Sequence, residues 1–442
     1  MPTTAPATRR VAILGGSRIP FARADGPYAT ASNYDLLSAA LAGLTSRFGL
    51  DGTVLGEVAA GAVMKHGRDF NLAREVVLGS ALDPRTPAYD VQQACGTGLE
   101  AVILVANKIA LGQIECGVAG GTDTASDVPI GLNDDLRRLL LSARRDRGPR
   151  GVMRALGRLR PKQVVPDIPR NAEPRTGLSM GEHAARTAAA WRITRAAQDE
   201  LAAASHRRLA AAYDAGFFDD LVVPFRGLTR DQNLRPDSTV EKLARLKPVF
   251  GLDADTAGTA GSAGPTMTAG NSTPLTDGAA TVLLASEDWA RERGLPVLAY
   301  LGPSRTAAVD FVGGEPGPDG LLMAPAYAVP RLLAATGYSL ADFDFYEIHE
   351  AFASQVLATL AAWQDPDFCK NRLGLAGPLG RIDPDRLNVT GSSLAAGHPF
   401  AATGARIVPT LAKLLHRRPG GGRGLISICA AGGQGVTAII ES

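Results

Sequence analysis

The run AYDVQQACGTGLEAVILVANKIALGQIECGVAGG, residues 88–121, decides the architecture. Ala88 to Gln92 reads as a strand, and Cys95 follows in a glycine-bordered loop. From Gly98 to Leu111 the chain is apolar almost throughout, which predicts a helix buried on every side. Cys116 to Ala119 reads as a further strand, ending in Gly120-Gly121. About 300 residues later the same order recurs. Leu387 to Thr390 reads as a short strand, and a Gly-rich loop then carries His398. A helix is expected from about Ala402 to Leu415, and a strand from Leu425 to Ile428 runs into Cys429 and Gly432-Gly433. The repetition predicts an α/β fold of two similar halves, each presenting a reactive loop near a strand end, where α/β sheets usually hold ligands.

Working outward, Val11 to Leu14 reads as the first strand, 34–49 as a helix, and Val58 to Val63 as a buried apolar segment. The middle has another texture. Residues 131–175 are rich in Arg and Pro, Glu182 to Trp191 and Arg195 to Ala215 look helical, and 216–275 carry many turn signals. The expected division is 1–128 with 256–292 as the first half, 129–255 as an inserted loop domain, and 293–442 as the second half.

Composition narrows the class. At 442 residues, 45% hydrophobic and 20% charged, the chain is long enough for two or three cores and is not a disordered composition. A net charge of +2 gives no reason to expect nucleic-acid binding. Four cysteines without paired C-x-x-C spacing suggest neither a disulfide framework nor a zinc site, so a reducing compartment, the cytoplasm, is expected. Neither a signal-peptide pattern nor an 18-residue apolar run is present.

Four segments carry candidate chemistry. Cys95, at the start of a helix, would have its thiolate favoured by the free N–H groups there. His398, between Gly397 and Pro399, suits a base delivered to a pocket. Cys429, before a glycine loop, could serve as a second acid/base while loop amides stabilise an oxyanion. His349 and Glu350 stand at a strand-to-helix junction, His349 as a polar group facing the pocket and Glu350 as a helix-start carboxylate. Taken singly, each also reads as ordinary packing or a loop contact.

Taken together and in this order, the segments resemble the thiolase family from Val11 to Ile440. Cys95-Gly-Thr-Gly98 is similar to the nucleophile loop, Gly397-His-Pro399 to the catalytic-histidine motif, and Cys429 with its glycines to the second-cysteine motif. Thr268 to Ala279 resembles the segment lining the pantetheine channel. The chain departs from the commoner pattern at His349, where most thiolases have Asn, and at Ala431, where they have Gly. Both departures resemble the thiolase (β) subunit of the fatty-acid-oxidation trifunctional complex and its bacterial relatives.

The resemblance implies a layered αβαβα thiolase fold and a degradative 3-ketoacyl-CoA thiolase; a biosynthetic acetoacetyl-CoA thiolase is the alternative, and a non-catalytic lipid-CoA-binding subunit a third reading. It also implies that His398 takes the proton of Cys95, whose thiolate attacks the 3-keto carbon, and that Cys429 protonates the departing enolate and later deprotonates CoA. His398, with a water held by His349, would meet one oxyanion, and the backbone N–H groups of Cys95 and Ala431 the other. By the same resemblance Arg235 falls where adenine is stacked, Thr273 where pantetheine is contacted, and Met180 at the border of the acyl pocket. No metal or prosthetic group is implied, since CoA is a substrate. A homodimer or homotetramer is expected, with a hydratase/dehydrogenase α-subunit as a further partner.

Between Arg137 and Lys162 lie nine arginines and one lysine against a single acid, Asp146. Leucines at 136, 139, 140 and 141, and then Val152, Met153, Leu156 and Leu159, fit two short amphipathic helices broken at Gly148-Pro149. Such helices suit peripheral membrane contact through 131–165 or a partner subunit, a solvated cationic face, or attraction of CoA phosphates.

Overall fold

The computed structural model describes residues 8–145, 148–252, 264–312 and 319–442. The expected boundary at 255/256, Asp146, and the side chains of Val152 and Leu156 lie outside what it describes.

The strands are β1 Val11–Arg18, β2 Ala22–Arg23, β3 Glu57–Ala60, β4 Ala88–Asp90, β5 Cys116–Asp123, β6 Thr276–Ser286, β7 Ala299–Ala308, β8 Phe345–Ile348, β9 Arg423–Ala430 and β10 Gln434–Glu441. The principal helices are α1 Asn33–Phe48, α2 Leu72–Leu78, α3 Thr97–Ala110, α4 Asp134–Arg145, α5 Pro149–Leu156, α6 Met180–Ala190, α7 Arg195–Asp214, α8 Pro325–Thr336, α9 Ala353–Gln364 and α10 Ala402–Arg417.

The sheet runs β4-β3-β5-β6-β1-β7-β10-β9-β8. Each half repeats one winding: its first strand lies innermost, its last beside that, and its middle strands fill outward. The halves meet where β1 pairs antiparallel with β7, Val11 opposite Leu301. Helices α3 and α10 lie between the halves, because one apolar cluster takes Val102 and Val105 from α3, Ile407 and Leu411 from α10, and inward residues of β6, β9 and β10. The opposite faces are covered separately, the first half by α1 and α2 and the second by α8 and α9. Five layers result, αβαβα. Burial explains the expected all-apolar helix: Leu99, Val102, Val105 and Ile109 of α3 and nearly all of α10 are enclosed by sheet on two sides.

Several boundaries differ from expectation. β5 and β1 continue through their glycine pairs, since a sheet interior tolerates Gly where neighbours approach closely. The strand expected at Leu387–Thr390 is instead a single bridge, Tyr346 to Leu387, followed by a turn. Asn388 causes this. It adopts φ +47°, and its side chain bonds Ile348 N, Ile348 O and Glu350 Oε1 in place of a strand ladder.

The basic segment forms two helices, α4 and α5, divided before Pro149 as its pattern predicts. Leu140, Leu141, Met153 and Leu159 remain exposed. The loop starting at Asp231 is anchored differently. Arg18 of β1 grips Asp231 with two nitrogens at 2.6 and 2.8 Å, and both side chains are buried.

Candidate active site

β4 is the sheet's edge strand, and the chain leaves it through a tight turn into α3. The Gln93 amide donates to Thr97 Oγ1 at 2.8 Å, and that hydroxyl donates to Ala94 O at 2.7 Å. This closure holds Ala94 at φ +45°, a left-handed conformation that costs a non-glycine residue roughly 1–3 kcal/mol. Cys95 is thereby set directly before the helix start. Cys429 stands near the end of β9 and is 1% exposed. His349 follows β8, which is parallel to β9, so both residues emerge at one end of the sheet. His398 arrives from the loop before α10.

What brings the two halves' loops together is a contact without side chains. A Cβ on Gly404 of α10 would lie 2.2 Å from Leu99 N, and one on Gly98 of α3 would lie 2.5 Å from Ala401 O. The starts of α3 and α10 therefore cross backbone to backbone, which only glycine permits. Asp123, at the end of β5, adds a clamp: it accepts the amides of Val63, Met64 and Ala401 at 2.9, 2.8 and 2.9 Å. Burial raises this carboxyl to about 7.

Electrostatics defines the resting state. Cys95 keeps part of its surface open, yet packed surroundings push its thiol up to about 12, against amide hydrogen bonds from Ala431 and its own N–H that favour thiolate. Cys429 is pushed well above a thiol's ordinary range by burial and then by Cys95. Burial, and then the Arg406 charge, lowers His398 to about 3. His349 is held well below its usual range by burial, His398 and Arg406. The resting site therefore holds two thiols and two neutral imidazoles.

The imidazoles form a pair, with Nε2 of His349 3.3 Å from Nε2 of His398 and ring centroids 4.1 Å apart. His398 Nδ1 lies 2.6 Å from Thr403 Oγ1, and its amide donates to Thr276 Oγ1. Such a set can move a proton from a thiol to an imidazole and back, and can present donors to a developing oxyanion.

Ala431 lies outside the left-handed region, which Gly432 and Gly433 occupy at φ +78° and +71°. Alanine therefore serves at 431 without strain, and its amide points at Cys95. Met180 packs in the apolar cluster that also contains Cys429 and Phe352. Thr273 Oγ1 donates to Ala351 O at 2.8 Å, tying its segment to the turn after His349. Arg235 is exposed, and its amide donates to His206 Nδ1 at 3.2 Å.

Glu350 departs from expectation. Helix α9 starts only at Ala353, and Glu350 is fully buried, accepting from Ser205 Oγ, Asn388 Nδ2 and Leu394 N. It ties α7 to the His398 loop rather than capping a helix. Sequence reasoning passed over Asp123, Thr276, Ser393, Thr403 and Arg406. Asp123 and Arg406 left a signal, as charges at inward positions of a small-residue strand and an apolar helix.

The chain is similar to known proteins along nearly its whole length. The family described as thiolase, N-terminal domain, matches residues 11–288, and thiolase, C-terminal domain, matches residues 303–442. A 3-ketoacyl-CoA thiolase of Pectobacterium atrosepticum is 41% identical over 438 residues, covering 98% of this chain and 96% of the relative. One from Yersinia pestis is 38% identical, covering 98% and 97%. Among solved structures, the acetyl-CoA acetyltransferase of Bacillus anthracis superposes with TM-score 0.77 at 31% identity, covering 98% of this chain and 99% of that one. Human mitochondrial 3-ketoacyl-CoA thiolase does so at TM-score 0.77 and 28% identity, covering 98% and 99%.

Proposed function

The chain belongs to the thiolase family, and from that premise we propose that it is a 3-ketoacyl-CoA thiolase, cleaving its substrate with CoA through an acyl group carried on Cys95. The observation that carries this reading is two pairings: Cys95, beneath the Ala431 amide and close enough to perturb Cys429, and the His349–His398 imidazoles.

The chemistry is the cycle that the thiolase resemblance implies, started from neutral groups. His398 accepts the Cys95 proton as the thiolate attacks the 3-keto carbon. The C2–C3 bond then breaks, leaving an acyl thioester on Cys95 and an acetyl-CoA enolate, which Cys429 protonates at C2. The Cys429 thiolate next takes the thiol proton of incoming CoA. The CoA thiolate attacks the acyl group, Cys95 departs as thiolate, and protonated His398 returns its proton. Neutral resting groups suit this cycle, because charge arises only where a reacting partner is present to use it. The His398 and His349 donors serve the enolate oxygen, and the Cys95 and Ala431 amides the oxyanion at the acyl carbon. The cycle invokes no metal or prosthetic group.

CoA would enter past Thr273, with Arg235 at the adenine and Met180 beside the acyl chain. The 40%-identical relatives support the degradative reading over acetoacetyl-CoA synthesis. We further propose a cytoplasmic homodimer or homotetramer that joins a hydratase/dehydrogenase subunit, with α4 and α5 as the docking or membrane-facing region. No helix among the described residues is long and apolar enough to cross a membrane.

Purified protein assayed with CoA and either acetoacetyl-CoA or a C8–C16 3-ketoacyl-CoA series tests the reading. Thiolysis of the longer substrates, with acyl mass on Cys95, is expected. No thiolysis at any length together with no acylation of Cys95 would sink it, and cleavage of acetoacetyl-CoA alone would sink the long-chain assignment.

A further inference from the structure

Behind the histidine pair stands a second row of polar groups. Arg406 of α10 is 4% exposed, and its Nη2 donates to Ser392 Oγ at 2.9 Å and to Ser393 Oγ at 3.2 Å. Ser393, fully buried, has its Oγ 3.0 Å from His349 Nδ1. A guanidinium can only donate, so Ser393 Oγ accepts from Arg406 and its own proton needs another acceptor. Among the described residues, His349 Nδ1 is the acceptor in reach.

We propose that Arg406 and Ser393 form a positioning relay that fixes the ring proton of His349 on Nε2, making His349 the hydrogen-bond donor toward His398 in the resting site. Neither residue touches the reacting atoms in this scheme; both act through His349. The reverse tautomer would put the proton on Nδ1, leave the buried Ser393 hydroxyl proton without an acceptor, and leave His398 to be the donor across the 3.3 Å contact. The fixed charge of Arg406 also disfavours imidazolium at His349, so the donor is a neutral ring.

The consequence reaches His398. Its Nε2 must present a lone pair to the His349 N–H, so its own proton sits on Nδ1, facing Thr403 Oγ1. His398 is thereby kept as a base with the correct nitrogen unprotonated. When His398 takes the Cys95 proton on Nε2, the His349 N–H loses that acceptor and is free for an entering thioester oxygen. This catalytic consequence rests on the thiolysis reading; the tautomer itself does not.

The test is long-range ¹H–¹⁵N correlation on ¹⁵N-histidine-labelled protein, with the His349 signals assigned by loss in His349→Gln. The expected wild-type result is an unprotonated Nδ1 and a protonated Nε2 at His349. Ser393→Ala, which removes one buried oxygen, should mix the tautomers and lower kcat by about 10–100-fold with little change in KM, less than the 10²–10³ for an oxyanion donor removed outright. A protonated Nδ1 in wild type, or unchanged His349 shifts in Ser393→Ala, overturns the relay. If the shifts behave as expected while wild type lacks thiolysis, the relay stands and the functional reading fails.

Discussion

Thr403 Oγ1 lies 2.6 Å from His398 Nδ1, at the second residue of the helix that His398 precedes, and is fully buried. A loop base is thus fixed by the helix that follows it. Thr403→Val keeps the shape and removes the acceptor. It should lower kcat/KM by about 10–100-fold, since general-base catalysis as a whole contributes about 10²–10⁴. Thr403→Ser should stay within about threefold of wild type. Steady-state thiolysis assays decide, and equal losses in both variants would contradict the acceptor role.

The two thiols should fail differently. Cys95→Ala should abolish both thiolysis and acyl capture, because no nucleophile remains. Cys429→Ala should lose about 10²–10⁴ in turnover yet still slowly acquire acyl mass at Cys95 from acetyl-CoA, because Cys95 and His398 remain to form the thioester and water can protonate the departing CoA thiolate. Intact-protein mass spectrometry separates the cases; a Cys429 variant that cannot be acylated would merge the two roles.

Ala431 holds an ordinary backbone conformation. Ala431→Gly therefore keeps the amide aimed at Cys95 and should cost only backbone entropy, about 0.5–1 kcal/mol of stability. Its kcat/KM should stay within about threefold. A large loss would mean that the methyl group, not the amide, matters at this position.

Gly404 leaves no room for a methyl group, since the nearest atom is backbone. Gly404→Ala should destabilise the protein by at least about 3 kcal/mol, the upper end for overpacking, because neither helix can rotate a side chain away. Denaturant unfolding measures this. A midpoint close to wild type would show that α3 and α10 part more easily than their contact indicates.

His206, 5% exposed, is lowered from 6.5 to about 4 by burial and then by Arg235. Its depressed value means that the unfolded chain binds the proton first as pH falls. Stability from neutral His206 is complete above pH 6.5 and drains away toward pH 4. Between pH 6.5 and 5 the drain is about 2 kcal/mol, at 1.36 kcal/mol per pH unit. His206→Gln cannot titrate, so wild type should lose about that much stability relative to the variant over this interval, as followed by thermal unfolding. A gap independent of pH would refute the assignment.

Much of this was legible in the chain because glycine and apolar periodicity act locally. Residues 98–111 announced a helix buried all round, and α3 is buried on most of its surface, with Asn107 and Leu111 open to solvent. Cys95, His398 and Cys429 stood out because each interrupts a glycine loop. Other features were silent. Asn388 replaced a strand by satisfying backbone groups near Ile348, 40 positions away, a contact that no local pattern encodes. Glu350 resembled a helix-start carboxylate, but its partners come from α7 and the 388–394 turn. Arg406 and Ser393 gain their meaning only from the ring that the fold sets beside them.

The seat of β1 bears on how the protein is made. Its neighbours are β6 and β7, so the first strand to leave the ribosome waits for residues 276–308 before either partner exists. At 5–20 residues per second that wait is roughly 10–50 s. Throughout it, Val11–Arg18 and the exposed side of β5 are unsatisfied edges on a nascent chain. Truncation before residue 276 should therefore yield an aggregating fragment rather than a folded first half, and holdase chaperones should engage this protein early in its synthesis.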